Sequence, residues 1–230
     1  MRRPVALLLL VLALAGCGEE RGGHGTAQVW ITRDRGAHVL LTTTVPAGLT
    51  AMQALDRVAD VKTRYGGRFV QSVNGVEGSA TRQRDWFYFV NGLEADRSAA
   101  DYRLRAGDVE WWDYRSWRAE MSEPVVVGAF PEPFVHGYDG KLHRNVIVAA
   151  SAQDLPAARA LRRVLGRAAI VGSSAPVPRG AFVLRVVDLS VTFSGSRTSH
   201  DGVVFVITAR DALRLAANPR LARFRYEGLR

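Results

Sequence analysis

The stretch from Asp85 to Tyr114, DWFYFVNGLEADRSAADYRLRAGDVEWWDY, constrains this chain more than any other, and it carries three of the five tryptophans. Trp86-Phe87-Tyr88-Phe89-Val90 is an apolar, aromatic run of strand length. Asn91-Gly92 follows directly, the pair that tolerates positive φ at both centres of a type I′ hairpin turn. Leu93 then starts a return strand, Arg105 to Asp108 makes a second turn, and Val109 to Tyr114 is another strand with aromatics on both faces. A sheet this aromatic either packs on something or offers a surface to something.

Upstream, Val29 to Thr32 and His38 to Val45 are β-rich runs around Arg33-Asp34-Arg35-Gly36, which reads as a hairpin. Thr50-Ala51-Met52-Gln53 has capping-box spacing, so the Thr50 hydroxyl can satisfy a free N–H at a helix start. Ala51, Ala54, Leu55, Val58 and Ala59 then share one helical face, and Tyr65-Gly66-Gly67 is the expected stop. Phe69 to Val73 reads as a strand turned by Asn74-Gly75. Two strands, one helix and then a hairpin-rich sheet is the order of a β-grasp fold. The sequence therefore predicts an α+β chain: a mixed sheet on one helix over residues 29–115, a polar linker over 116–123, and a small α/β domain over 124–230.

Residues 38–114 resemble the transcobalamin-like C-terminal domain, a β-grasp module of exported bacterial proteins and animal cobalamin carriers. The residues that carry the resemblance are Val45-Pro46-Ala47-Gly48 leading into Ala51 to Leu55, Phe69 to Gly75, Trp86 to Gly92, Asp101-Tyr102, Gly107-Asp108 and Trp112-Asp113-Tyr114. The resemblance implies the fold. Because a related domain closes over the corrin in the animal carriers, it also implies a cobalamin-like corrinoid as ligand.

Met1 to Pro4 is a short basic segment, and Val5 to Ala15 is an apolar run too short to span a bilayer as a mature helix. Leu14-Ala15-Gly16-Cys17 resembles the lipobox of bacterial lipoproteins. That resemblance implies a signal peptide over 1–16, cleavage before Cys17, and palmitate-type acylation of its sulfur. An ordinary secretory leader with a chance cysteine is the alternative. Cys17 is the chain's one cysteine, which fits an exported protein that keeps its thiol for lipid. Stable anchoring takes two acyl chains, at about 0.8 kcal/mol per buried CH₂, and a diacylated cysteine meets that requirement. Residues 17–28 are polar and Gly-rich, as a tether between lipid and fold would be. The formal charge of +9 comes almost wholly from scattered arginines, since Lys62 and Lys141 are the only lysines among 31 basic residues. No basic helix or aromatic-basic interleaving accompanies them, so the pattern argues against nucleic acid as partner.

In the second half, Asn145 to Ala150, Ala168 to Val171, Ala181 to Leu189 and Val203 to Ile207 read as strands. Ser151 and Thr208 read as caps of two helices, and Val191 to Asp201 as a Ser/Gly loop. Among groups able to do chemistry, His136 and His143 with Asp139 between them could hold a metal, but loop spacing fixes no geometry and surface histidines are the plainer reading. Ser194, Ser196, Ser199, His200 and Asp201 lie in one polar loop, whereas a nucleophile and its base usually converge from separate elements.

The aromatic set is the stronger candidate. Trp86, Tyr88, Asn91, Trp111, Trp112 and Tyr114 combine large contact area with polar handles, as a site for a planar or amphipathic ligand requires. Asn91 and Asp113 would supply hydrogen bonds to it. Side chains alternate along a strand, so Val109, Trp111 and Asp113 face one way and Glu110, Trp112 and Tyr114 the other. With Val109 and Trp111 toward the helix, Trp112 and Tyr114 would lie on the outer face. The expected function is non-enzymatic capture of a small ligand by a lipoprotein at the outer side of the cell membrane, with hand-over to a transporter. The alternatives are an envelope protein–protein interaction module, with Trp112 and Tyr114 buried between the domains, and a hydrolase-type enzyme in residues 124–230.

Overall fold

The computed structural model describes residues 25–230. The expected signal peptide, the expected lipidation site Cys17 and the expected tether as far as His24 lie outside the described residues. Strand β1 (Thr26–Arg33) already includes Thr26 to Gln28, so the last three residues assigned to the tether belong to the sheet.

The first unit is a mixed sheet on a short helix. Its strands are β1, β2 (His38–Pro46), β6 (Arg84–Val90), β7 (Leu93–Glu94) and β8 (Val109–Ser116), in the order β2-β1-β8-β6-β7. The chain's first and last strands of this unit, β1 and β8, lie parallel at the centre, and every other pairing is antiparallel. That is the β-grasp arrangement. Local chemistry sets its corners: Asn91 (φ 53°) and Gly92 (φ 77°) both sit at positive φ, as a type I′ turn demands. Asn74 (φ 48°) and Gly75 (φ 77°) repeat it between β4 (Phe69–Val73) and β5 (Val76–Glu77).

Helix α1 (Ala51–Asp56) starts with the expected capping box, in which Thr50 Oγ1 accepts from Gln53 N and Gln53 Oε1 accepts from Thr50 N. It is shorter than its sequence pattern implies. Val61–Arg64 forms β3, paired with β4 in a separate three-stranded sheet with β5. The Asn74 side chain decides this: its Oδ1 accepts from Asp60 N while Asn74 N donates to Asp60 O. That clamp holds the chain extended before β3, where β-branched Val61 and Thr63 suit a strand.

The second unit holds a five-stranded sheet of β9 (Asn145–Ala149), β10 (Ala168–Gly172), β11 (Phe182–Val187), β12 (Ser194–Arg197) and β13 (Val203–Thr208), ordered β10-β9-β11-β13-β12. All pairings are parallel except that of the edge strand β12. Helices α2 (Leu155–Leu165) and α3 (Ala209–Ala217) pack on one face of it, over Ile147, Leu184 and Phe205. The expected Ser/Gly loop thus contains a strand. An edge strand needs only backbone partners and carries no apolar signature, so Ser194 to Arg197 gave none.

The two units share cores. Leu93 of the grasp sheet lies in the same cluster as Phe130, Phe134 and the second sheet, and it bridges to Val125. The outer face of the grasp sheet, with Trp30, Phe89, Val109 and Trp111, is covered by Val126, Ala129, Phe224 and Tyr226. Close approach requires Gly128, where a Cβ would stand 2.6 Å from the Trp111 ring. This decides which face of β8 is which, and it is Trp111 rather than Trp112 and Tyr114 that lies buried between the units. Trp112 and Tyr114 face the helix-side core with Ala51 and Leu55, and Trp111 takes the outer face.

Candidate ligand cleft

A cleft of about 450 Å³ opens on the helix side of the grasp sheet. Its floor is Trp86, Tyr88 and Trp112, and Met52 of α1 and Phe69 of β4 line its walls. Tyr88 and Trp112 are direct cross-strand partners, and their rings stack at 4.8 Å with 18° between planes. Such pairs are the natural product of antiparallel register, which brings opposed side chains within reach. The polar tips of all three aromatics are spoken for by the protein. Trp86 Nε1 donates to Val76 O (2.8 Å), Tyr88 Oη to Arg97 O (2.5 Å), and Trp112 Nε1 to Glu110 Oε1 (2.5 Å). What remains for a ligand is ring surface.

Charge sits at the rim and is largely matched. Arg68 pairs with Asp101, and Arg97 with Asp96 and Asp139. The Arg97 guanidinium, through its hydrogen bond, holds Asp96 below the ordinary carboxylate range, and Arg105 does the same chiefly for Asp139. Burial pushes the Tyr88 phenol up, so it stays neutral, and burial also raises Asp85 at the cleft edge. Behind the floor lies Glu110, fully buried. Its Oε2 has no hydrogen-bond partner among the described residues, and burial lifts its pKa well above that of an ordinary carboxyl. The one bond it makes orients Trp112.

Of the six residues expected to bind ligand, Trp86, Tyr88 and Trp112 line the cleft and the other three do not. Asn91 is fully buried: its Nδ2 donates to Asp108 Oδ1 and Gly137 O, and its Oδ1 accepts from Val109 N, each at 2.8 Å. Those bonds staple the hairpin to the neighbouring loop and leave nothing for a ligand. Trp111 is sealed on the opposite face. Tyr114 packs beside Trp86 with its Oη donating to Glu77 O (3.0 Å), one residue beyond the cleft. Asp113, expected to bind ligand amides, is also fully buried and accepts from Thr32 Oγ1, Arg35 N, Gly36 N and Tyr226 Oη.

The sequence reading missed Met52 and Phe69 as lining residues, together with Trp117 and Met121, which the connector brings to the cleft. Two large apolar residues in an otherwise small or polar connector were the available signal. The histidines do not converge. His136 Nδ1 lies 2.6 Å from Glu132 Oε1, whereas His143 Nδ1 lies 2.7 Å from Gly180 O and its ring stacks on Phe182. Asp139 is engaged by Arg97 and Arg105. Among the described residues no group of three or more His, Cys, Asp or Glu is placed to hold a metal ion. Ser194 and Ser196 lie on β12, with His200 and Asp201 exposed in the turn that follows.

Residues 48–116 match the model of a domain of unknown function, DUF4430. No curated protein matches the chain. Among solved structures, the chain is similar to a crystal structure described as a candidate metal-binding protein from Ruminococcus gnavus. The two share 15% identity with a TM-score of 0.33, over 40% of this chain and 97% of that one.

Proposed function

We propose that this chain is an extracytoplasmic, lipid-anchored protein that holds a small planar or amphipathic ligand without transforming it. The observation that carries this reading is the open cleft floored by the stacked Tyr88–Trp112 pair. Its volume lies in the range that accommodates a drug-sized molecule, and its walls are aromatic and aliphatic with matched charge only at the rim. The likeness of residues 38–114 to transcobalamin-like domains makes a corrinoid the first ligand to try. A corrin with its nucleotide arm exceeds the cleft, so the cleft would grip one edge of it. Hand-over to a membrane transporter fits a tethered binder.

Titrating cobalamin and a panel of smaller tetrapyrroles into the full chain, with tryptophan fluorescence corrected for absorption, tests this. We expect saturable quenching. Tyr88→Leu keeps apolar bulk but removes the stacked ring, a contribution of roughly 0.5–1.5 kcal/mol. It should raise Kd several-fold in a protein whose circular dichroism is unchanged. Absence of saturable quenching by every member of the panel would refute the ligand reading.

The anchor has its own test. No helix among the described residues is long and apolar enough to cross a membrane. Expressed in a bacterium fed labelled palmitate, the wild-type chain should incorporate label and Cys17→Ser should not. Label that persists in Cys17→Ser would place the lipid elsewhere.

A further inference from the structure

A second cavity of about 400 Å³ lies on the opposite side of the grasp sheet, where the sheet meets the second unit. Trp30 and Val109 form its sheet wall, Phe130 and Pro131 an apolar wall facing them, and Arg220 and Arg223 line it from the segment after α3. The arginine–carboxylate pairs among the described residues all use other arginines. Arg223 packs against two rings, with Cζ 4.7 Å from the Trp30 ring centroid and 4.8 Å from that of Phe224. Its Nε is buried with no hydrogen-bond partner among the described residues. Burial, and then the like charges of Arg220 and Arg230, hold its pKa below the ordinary guanidinium value, and no acid offsets them. Glu132, the acid in the cavity wall, has both oxygens engaged by His136, Oε2 with its N–H and Oε1 with its ring.

Two arginines that pair with no carboxylate among the described residues, one of them packed on the rings of Trp30 and Phe224, together with apolar walls lack only a negative partner. Guanidinium donors match the planar oxygens of carboxylate or phosphate. We propose that this cavity binds a small organic oxyanion, a carboxylate or phosphate carried on an apolar body that packs against Trp30 and Phe130. The site is separate from the ligand cleft and does not depend on it.

The test is calorimetric titration of the full chain with benzoate and with phenyl phosphate. Benzyl alcohol serves as the uncharged control and inorganic phosphate as the control without a body. At least one aromatic anion should bind saturably, weaken as salt is added, and lose at least tenfold in affinity in Arg223→Gln and in Arg220→Gln. The tighter of the two names the head group. Arg159→Gln, on the exposed face of α2, should bind as wild type does. Arg220 is exposed, so its variant keeps the fold if Arg223→Gln does not. Independently of any variant, the Trp30 indole N–H resonance should move on binding while that of Trp112 stays, which separates this site from the cleft. No saturable binding of either anion, binding indifferent to both variants, a shift at Trp112 instead of Trp30, or inorganic phosphate binding as tightly as phenyl phosphate would each overturn the proposal.

Discussion

Trp111→Ala is expected to cost about 3–5 kcal/mol of stability, the range for deleting a large aromatic from a packed core. Trp111 is fully buried, edge-on to Tyr226 at 5.5 Å, tilted against Phe89 at 5.7 Å and in contact with Trp30 at 6.2 Å. Its Nε1 donates to Thr32 Oγ1 (2.8 Å), which in turn donates to Asp113 Oδ1 (2.5 Å). Truncation thus opens a cavity and also removes one end of a buried hydrogen-bond chain. Collapse cannot refill the space cheaply, because Gly128 already brings backbone against the ring. Urea denaturation of wild type and variant measures the loss. A change below about 1 kcal/mol would mean that the segment around Phe224 and Tyr226 does not cover the sheet, since an exposed tryptophan is worth that little. Trp112→Ala, by contrast, enlarges an existing cleft, so the two neighbouring tryptophans report on different parts of the molecule.

That difference between neighbours was the part least legible in the sequence. Alternation assigns Trp111 and Trp112 to opposite faces, but naming the face needs one side to be polar. In β8 neither side is: all residues from Val109 to Arg115 are buried, including Glu110, Asp113 and Arg115. Burial of those charged residues follows from partners distant in sequence. Asp113 needs the β1–β2 turn and Tyr226, and Arg115 needs the carbonyls of Glu120 and Met121 and the face of Phe87, 3.7 Å from its Cζ. Local signals fared better. The two Asn-Gly turns and the Thr50 cap depend on residues adjacent in the chain, and they were readable for that reason. The cleft was half readable. Its floor follows from the aromatic periodicity of β6 and β8, while Met52, Phe69 and Met121 reach it only through tertiary packing. The failure at β3 has the same origin, because the residue that keeps Asp60 extended is Asn74 in the next hairpin.

Glu110 turns this buried chemistry into a pH dependence. Its folded pKa is raised by loss of hydration, against which the single bond from Trp112 Nε1 is the lesser effect. The unfolded chain, with an ordinary carboxyl, therefore releases its proton first as pH rises. Between the unfolded and the folded pKa the unfolded state binds fewer protons, so stability falls with increasing pH. The contribution is intact below the ordinary glutamate pKa and is lost as pH climbs through the raised one, at about 1.4 kcal/mol for each unit between them. Asp85, Asp108 and Glu132 are raised by burial and slope the same way, while Asp96 and Asp139 are lowered and slope the other. The difference between wild type and Glu110→Gln isolates the one group. Glutamine keeps an oxygen to accept from Trp112 and cannot ionise, so the variant should match or trail wild type near pH 4 and surpass it near pH 9. Chemical denaturation of both proteins across that range gives the difference curve. A flat curve would show that Glu110 ionises in the fold as easily as in water, which would require water or a cation at Oε2.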